Sequence, residues 1–277
     1  MRVRKGRATR WFALTGASMA LAMLLSEPVR AQAPAVTQPA ARDPHAAQPE
    51  RPTVATHAGT VANGYLEFES GIEFDRGPGS ARNTLGNTLV KLGIGTRTQV
   101  FAFASGSKPD RADGGLGDAS IGLKVRIADK HELLGDFAVQ GGVKFPSGSI
   151  RRGTGTGTTD AAVLLISSRD IGAVHLDLNV GYTARDGDGS QAPRGQWLWT
   201  ASFGGAFSPI VGWTAEVYGY PGTGGAYRVA PSVWLLYGPT FTVRNWLVLD
   251  VGAIAPVSAP QLHALYAGAT YNVGRIF

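Results

Sequence analysis

The stretch that decides the fold runs from Gly115 to Asp160. It reads GLGDASIGLKVRIADKHELLGDFAVQGGVKFPSG over 115–148, followed by a Gly/Thr-rich loop and TTD at 158–160. From Ala119 to Ile127 every second residue is bulky and apolar: Ile121, Leu123, Val125 and Ile127. Ser120, Gly122, Lys124 and Arg126 lie between them. Alternate side chains of a strand point to opposite faces, so one face is apolar and the other carries two positive charges. Residues 128–131 read as a short polar break. The alternation then resumes with Phe137, Val139, Val143 and Phe145 against Asp136, Gln140 and Lys144. The pattern is a hairpin with a short turn at one end and a long Gly-rich loop, 146–158, at the other. Its apolar face either packs on a second sheet, as in a soluble sandwich, or faces lipid, as in a membrane barrel.

The N-terminus bears on that choice. A basic head (Arg2, Arg4, Lys5, Arg7, Arg10) precedes an uncharged apolar run over 11–25 and a small-residue site at 29–31. That order is a secretory signal with cleavage expected after Ala31; the run is short for a spanning helix. With Arg30 and Glu27 included, the formal net charge falls from +6 to +1 once residues 1–31 are set aside. The basic balance is therefore no nucleic-acid footprint. There is no cysteine, which excludes disulfides, thiolate metal sites and a lipidated cysteine anchor. Residues 32–60 are rich in Ala, Pro, Gln and Thr without apolar period and read as a flexible leader. The ordered domain is expected over 61–277.

Beyond residue 64 no stretch has a helical period. Outside the hairpin, strands are expected at 64–74, 85–94, 98–105, 159–168, 171–184, 196–207, 212–220, 226–237, 243–254 and 262–273, which makes twelve in all. Short connections fall at Gly95, Asp129, Arg169, Ser208 and Gly238. Longer ones fall at Asp75, Gly106, Pro146, Arg185, Pro221 and Pro256. Strict alternation of short and long connections between an even number of strands fits an up-and-down barrel; a Greek-key sandwich mixes its crossovers. Strands of about 9–12 residues suffice to cross a bilayer when tilted. Aromatics near strand ends (Tyr65, Phe74, Phe145, Tyr182, Trp197, Trp213, Tyr220, Tyr237, Tyr271) suit interfacial girdles. In hydrocarbon every backbone polar group needs an internal partner, and a closed barrel gives strands that partner. The expected class is all-β: a transmembrane up-and-down antiparallel barrel of about twelve strands in a Gram-negative outer membrane. The 38 glycines are expected to help the sheet bend.

At the opening stretch the chain resembles the outer-membrane barrel family labelled as a phenol-degradation-pathway protein or transporter. The matching pieces are Gly115-x-Gly117-Asp118-x3-Gly122-x-Lys124-x-Arg126, Lys144-Phe145-Pro146-x-Gly148, and the Gly/Thr-rich loop ending Thr159-Asp160. The resemblance covers about 64–277. It implies a channel-like barrel linked to uptake of aromatic or other hydrophobic small molecules.

With apolar faces outward, the residues expected to line the lumen are Glu67, Glu69, Glu73, Lys91, Lys124, Arg126, Asp136, Lys144, His175, Asp177, Glu216, Arg228 and Asp250. A charge on the lipid face costs ~2–4 kcal/mol at the midplane, which argues for a lumen address. These charges either guide a solute or fill a narrow barrel with ion pairs. Lys124, Arg126 and Lys144 are expected to form a basic strip facing Glu67, Glu69 and Glu73. Outer-membrane lipid, a small-molecule solute and, through the C-terminal Phe277, the barrel-assembly machinery are the expected partners; nucleic acid is not. No catalytic residue, cofactor or metal is expected. His175 has no serine beside it in sequence, and His263 near Ser258 is the weaker catalytic candidate. Gly153-x-Gly155-x-Gly157 lacks the lysine and helix of a phosphate-binding loop and reads as mobile. The Asp/Gly run at 185–189 reads as a solvated loop before a Ca²⁺ site.

Overall fold

The computed structural model describes residues 43–77, 82–110, 113–187, 192–258 and 263–277. The signal segment, residues 32–42 of the leader, and Asp188 and Gly189 of the Asp/Gly run lie outside them. Twelve strands follow in order: β1 (Tyr65–Arg76), β2 (Arg82–Ile94), β3 (Thr98–Pro109), β4 (Gly115–His131), β5 (Gly135–Phe145), β6 (Asp160–Ile171), β7 (Val174–Arg185), β8 (Gly195–Ala206), β9 (Val211–Tyr220), β10 (Ser232–Arg244), β11 (Leu247–Pro256) and β12 (His263–Arg275). Each strand pairs antiparallel with its chain neighbours, and β1 pairs with β12 to close the barrel. In that closing ladder Tyr65 lies opposite Arg275, so both ends of the barrel domain sit at the short-turn rim.

The usual sorting of side chains is inverted. Among the largest fully buried side chains are Lys91, Lys124, Glu67, Glu69, Glu216, Gln99, Asn179 and Asn272. Ile121, Leu123, Leu165, Leu178, Val180, Val251 and Leu265 are exposed. A soluble domain buries its aliphatics and solvates its charges; this surface matches hydrocarbon outside and polar groups inside. The opening hairpin follows the rule: Ile121 pairs with Val143 and Val125 with Val139 on the outer wall, and Lys124 lies beside Gln140 on the inner one.

Three expected turns are displaced. The β4–β5 turn lies at 132–134, because β4 continues through two irregularities in its ladder to His131. Arg169 and Asp170 stay in the ladder, opposite Leu176 and His175, so the β6–β7 turn is at 172–173. The β10–β11 turn is at 245–246, not at Gly238-Pro239. The ladder is unbridged at Gly238 and Pro239 and resumes in register at Thr240 opposite Asp250. Pro239 shares the outward parity of Tyr237, and a Cβ on Gly238 would fall 2.7 Å from the Tyr266 hydroxyl. The same Cβ would meet the Val251 carbonyl at 2.1 Å, so the glycine serves the close approach of β11 and the Tyr266 ring, not a turn.

Several strand glycines mark space taken by something in the lumen. Gly71 and Gly268 face each other across β1 and β12, and a Cβ on either would lie within 2.6 Å of the Arg51 guanidinium. A Cβ on Gly93 would meet the carbonyls of Val61 and Ala62 at 2.3 and 2.1 Å. What these glycines accommodate is the chain's own N-terminal segment.

Candidate functional site: a lumen filled from one end

Residues 43–64 run inside the barrel. They enter at the short-turn rim, where Ala47 N–H donates to the Asn245 carbonyl and His45 Nε2 lies 2.9 Å from the Asn272 carbonyl. They reach their deepest point around Arg51–Val54 and return to join β1 through Gly64, whose N–H donates to the Gly93 carbonyl. The sequence explains why this segment forms no helix or strand of its own. Pro44, Pro49 and Pro52 lack donors and cannot propagate a helix, and the rest are mostly small residues.

An extended segment away from water still needs acceptors for its amides. The wall provides them from side chains. Glu67 accepts from Gln48 N–H at 2.8 Å; Glu69 accepts from Glu50 and Arg51 N–H at 2.8 and 2.9 Å. Glu216 accepts from Val54 and Ala55 N–H at 2.8 and 2.7 Å. Asn179, Ser168 and Gln99 accept from Thr56, Ala58 and Val61 at 2.8, 2.7 and 2.9 Å. Carboxylate acceptors make charge-assisted bonds, roughly twice as strong as neutral ones.

Ion pairs complete the seat. Lys91 Nζ sits 2.7 Å from Glu67, contacts Glu69 and donates to the Gln48 carbonyl at 2.6 Å. Lys124 contacts Glu50 of the segment and donates to the His57 carbonyl at 2.9 Å. Arg51 binds Asp250 through two nitrogens at 3.1 and 3.3 Å and Asn87 at 2.9 Å. Two groups of the segment both shift downward, which keeps one charged and the other neutral. Burial raises and Lys124 lowers the Glu50 carboxyl, which ends well below its ordinary value. Burial, reinforced by Lys124, pushes His57 down to about 3, so it is neutral when seated.

Towards the long-loop end the lumen opens. A cavity of about 320 Å³ lies on the segment and is walled by Glu73, Leu89, Phe103, Tyr218, Leu236 and Tyr266 among others. A second, of about 670 Å³, shares Leu89, Phe103, Gln140 and Leu164 with it and adds Phe101, Leu198 and Tyr220. Inward aromatic rings are thus a property of this half. Gly122 makes room for Phe101, whose ring atoms would lie 2.4 and 2.8 Å from a Cβ there. The β5–β6 loop is pinned at this rim: Asp118 accepts from Lys144 Nζ and from Gly148 and Thr156 N–H, each at 2.9 Å. Lys144 also lies 3.4 Å from Asp160, as does Arg185 Nε. The Gly-rich segment expected to be mobile is therefore tied to the wall by the motif residues Asp118 and Lys144.

Of the residues expected to line the lumen, Glu67, Glu69, Lys91, Lys124, Glu216 and Asp250 converge on the inserted segment. Glu73 faces the cavity above it. Asp177 and His175 pair at 3.2 Å towards the short-turn rim. Asp136 caps the Lys130 amide at 2.8 Å, and Arg126 pairs with Asp129 at 3.0 Å, both at that rim. Arg228 is not on a strand: Pro231 precedes the start of β10, which leaves Arg228 in an exposed loop. The basic strip does not face the acidic row either. Lys91, on the strand beside β1, takes Glu67 and Glu69, Lys124 takes Glu50, and Lys144 lies at the opposite rim from Arg126. Tyr220 points into the lumen rather than to a girdle.

Sequence reasoning missed Glu50, Arg51, Phe101, Phe103, Tyr218 and Tyr266. The last four share parity with polar neighbours, and parity alone could have found them. The catalytic candidates are also placed. Ser168 Oγ donates to Asp177 and accepts from Ala58, so it is not bonded to His175. Ser258 Oγ accepts from the Val233 amide at 3.0 Å.

The architecture defines a class: a closed twelve-stranded antiparallel barrel with a polar interior, the fold of outer-membrane β-barrel channels. An outer membrane channel from Pseudomonas putida F1 superposes with a TM-score of 0.58 at 8% identity, over 78% of this chain and 97% of that one. KdgM porin gives 0.50 at 10% identity over 74% and 98%; its complex with disordered oligogalacturonate gives 0.51 at 10% over the same shares. At such identities the likeness is one of fold. No family model and no curated protein matches the chain.

Proposed function

We propose that the chain is exported, inserts in the Gram-negative outer membrane and passes small hydrophobic or aromatic molecules, with residues 43–64 closing the lumen at rest. One observation carries the substrate class: Leu89, Phe101, Phe103, Leu164 and Leu198 turn apolar surface into a lumen that is otherwise polar. Porins for hydrated solutes have no use for such a lining, whereas an apolar solute needs somewhere to shed its water. The kinship in fold with a porin and an outer membrane channel supports the reading at the level of class. The uptake of aromatic compounds implied by the family resemblance agrees with the lining.

A second reading, a closed barrel with a structural or surface role, is favoured by the completeness of the seat. Removal of residues 43–62 separates the two. Liposome swelling and planar-bilayer conductance are expected near baseline for the full chain and well above it for the truncated one. Uptake of a single-ring aromatic into proteoliposomes should exceed that of a sugar of similar mass. A truncated barrel that folds yet passes neither solute rules out transport.

A further inference from the structure

The long-loop half of the lumen holds an acidic pair that makes no salt bridge among the described residues. Glu73 and Asp75 lie two residues apart on the inner face of β1. Three bases of the lumen are committed elsewhere: Arg51 to Asp250, Lys91 to Glu67 and Glu69, Lys124 to Glu50; Arg76, Arg82 and Lys108 lie at the rim beside Asp75 without a salt bridge to it. Asp75 is 5% exposed, and its Oδ1 has no hydrogen-bond partner. Tyr266 lies directly opposite Glu73 in the closing ladder, is 4% exposed, and its hydroxyl is likewise unpartnered. Its ring lies along the wall over Gly252, where a Cβ would sit 2.3 Å from the hydroxyl and 2.6 Å from Cζ. Such a ring turns its face to the lumen. Tyr218, stacked on Trp234 at 5.5 Å, completes an aromatic wall around the same cavity.

Two neighbouring carboxyl groups without a salt bridge favour a cation between them, and aromatic faces attract one through the ring quadrupole. Leu89, Phe103 and Leu236 give this cavity its apolar wall; Glu50 and Glu69, which also line it, are already paired with Lys124 and Lys91, and Arg51 with Asp250. We propose that this cavity is a binding site for an organic monocation: a protonated amine whose nitrogen is held by Glu73, with Asp75 beside it, and whose apolar arm lies among Leu89, Phe103 and Leu236. The Tyr266 hydroxyl supplies a further acceptor for the N–H groups. A volume of about 320 Å³, continuous with the larger cavity, accommodates a single-ring ligand. The inference rests on the transport reading only for its physiological meaning; binding itself stands without it.

The test is isothermal titration of the detergent-solubilised full chain with three probes of matched size: 2-phenylethylammonium, 2-phenylethanol and 3-phenylpropanoate. The ammonium should bind roughly tenfold more tightly than the alcohol, and the carboxylate most weakly. Glu73→Gln should shrink the gap between ammonium and alcohol to about twofold while leaving the alcohol unchanged, and Tyr266→Phe should weaken the ammonium about threefold. Asp113→Asn, an exposed acid outside the strands, controls for net charge. Equal binding of the three probes, tightest binding of the carboxylate, no binding, or a Glu73→Gln protein that keeps the preference each overturns the site. If Glu73→Gln fails to give a heat-modifiable folded band, the wild-type ranking and Tyr266→Phe still decide. Swelling assays on the same preparations keep the two readings apart. Ammonium binding without transport of any solute sinks transport alone, and transport without the ammonium preference sinks this site alone.

Discussion

The two halves of the lumen are built from the same twelve strands and solve opposite problems. In the short-turn half, inward carboxylates and amides are consumed by the backbone of residues 43–64, and Lys91 and Lys124 each have a carboxylate. In the long-loop half, rings and leucines line open cavities, and two carboxylates of β1 lack a base. One half is filled by the chain itself and the other is lined by side chains alone. The difference teaches that inward polarity in a barrel is not a uniform wetting of the wall; each polar group answers to a particular occupant.

The sharpest way to break this comparison is to remove an acceptor from the filled half. Glu216 takes two amides and has no salt bridge among the described residues, so its loss affects the seat alone. Glu216→Ala should weaken seating by ~2–4 kcal/mol, given ~1.5–3 kcal/mol for a hydrogen bond to a charged group with water replacing part of it. Single-channel recording should show a large rise in open probability; no change would mean that the segment does not gate. Next in size, Gly268→Ala places a Cβ 2.3 Å from Arg51 Nε and should expel the guanidinium from Asp250. A Thr53→Cys reporter should then react with a membrane-impermeant maleimide several-fold faster, reflecting ~1–2 kcal/mol of lost seating.

Acidity should act on the same half more gently. Burial and Lys124 push seated His57 down to about 3, whereas a released histidine titrates near 6.5. The released state therefore binds the extra proton between those values, and seating weakens as pH falls below about 6.5, by up to ~1.4 kcal/mol per pH unit. Glu50, held low by Lys124 and Lys91 against burial, loses its contribution only as pH falls below about 4.5, below the window in which His57 takes up its proton. Open probability should rise between pH 6.5 and 5 in wild type and rise measurably less in His57→Gln. The smallest effect belongs to the open half. Phe103→Ala should leave the baseline closed and, in a chain lacking residues 43–62, lower uptake of single-ring aromatics about threefold relative to a sugar. An equal drop for both solutes would mean that the aromatic lining confers no selectivity.

How much of this could be read from the chain alone differs between the halves as well. The strands and their faces were legible because side chains alternate with a period of two and the wall separates two unlike environments. Val100 and Ala102 point outward, yet Phe101 and Phe103 between them are apolar too. The alternation is hidden at β3 because the lumen there is itself apolar. The inserted segment was illegible for another reason: it is held largely by its peptide N–H groups, which leave no trace in side-chain periodicity. Its composition of Ala, Pro, Gln and Thr is that of a linker. The one legible trace was on the wall, in the glycines at 71, 93 and 268, and these read equally well as aids to curvature. Turn positions slipped where Gly238-Pro239 mimicked a loop signal while allowing the Val251 carbonyl and the Tyr266 hydroxyl to come close.

Because the segment joins β1 directly through Gly64, leaving the lumen does not mean leaving the barrel. A released stretch of about twenty residues still searches a volume in which its effective concentration is on the order of millimolar. Reclosure is then a first-order event whose rate does not depend on how many copies share the membrane. Openings of such a channel are timed by the tether, and their duration is set within each molecule.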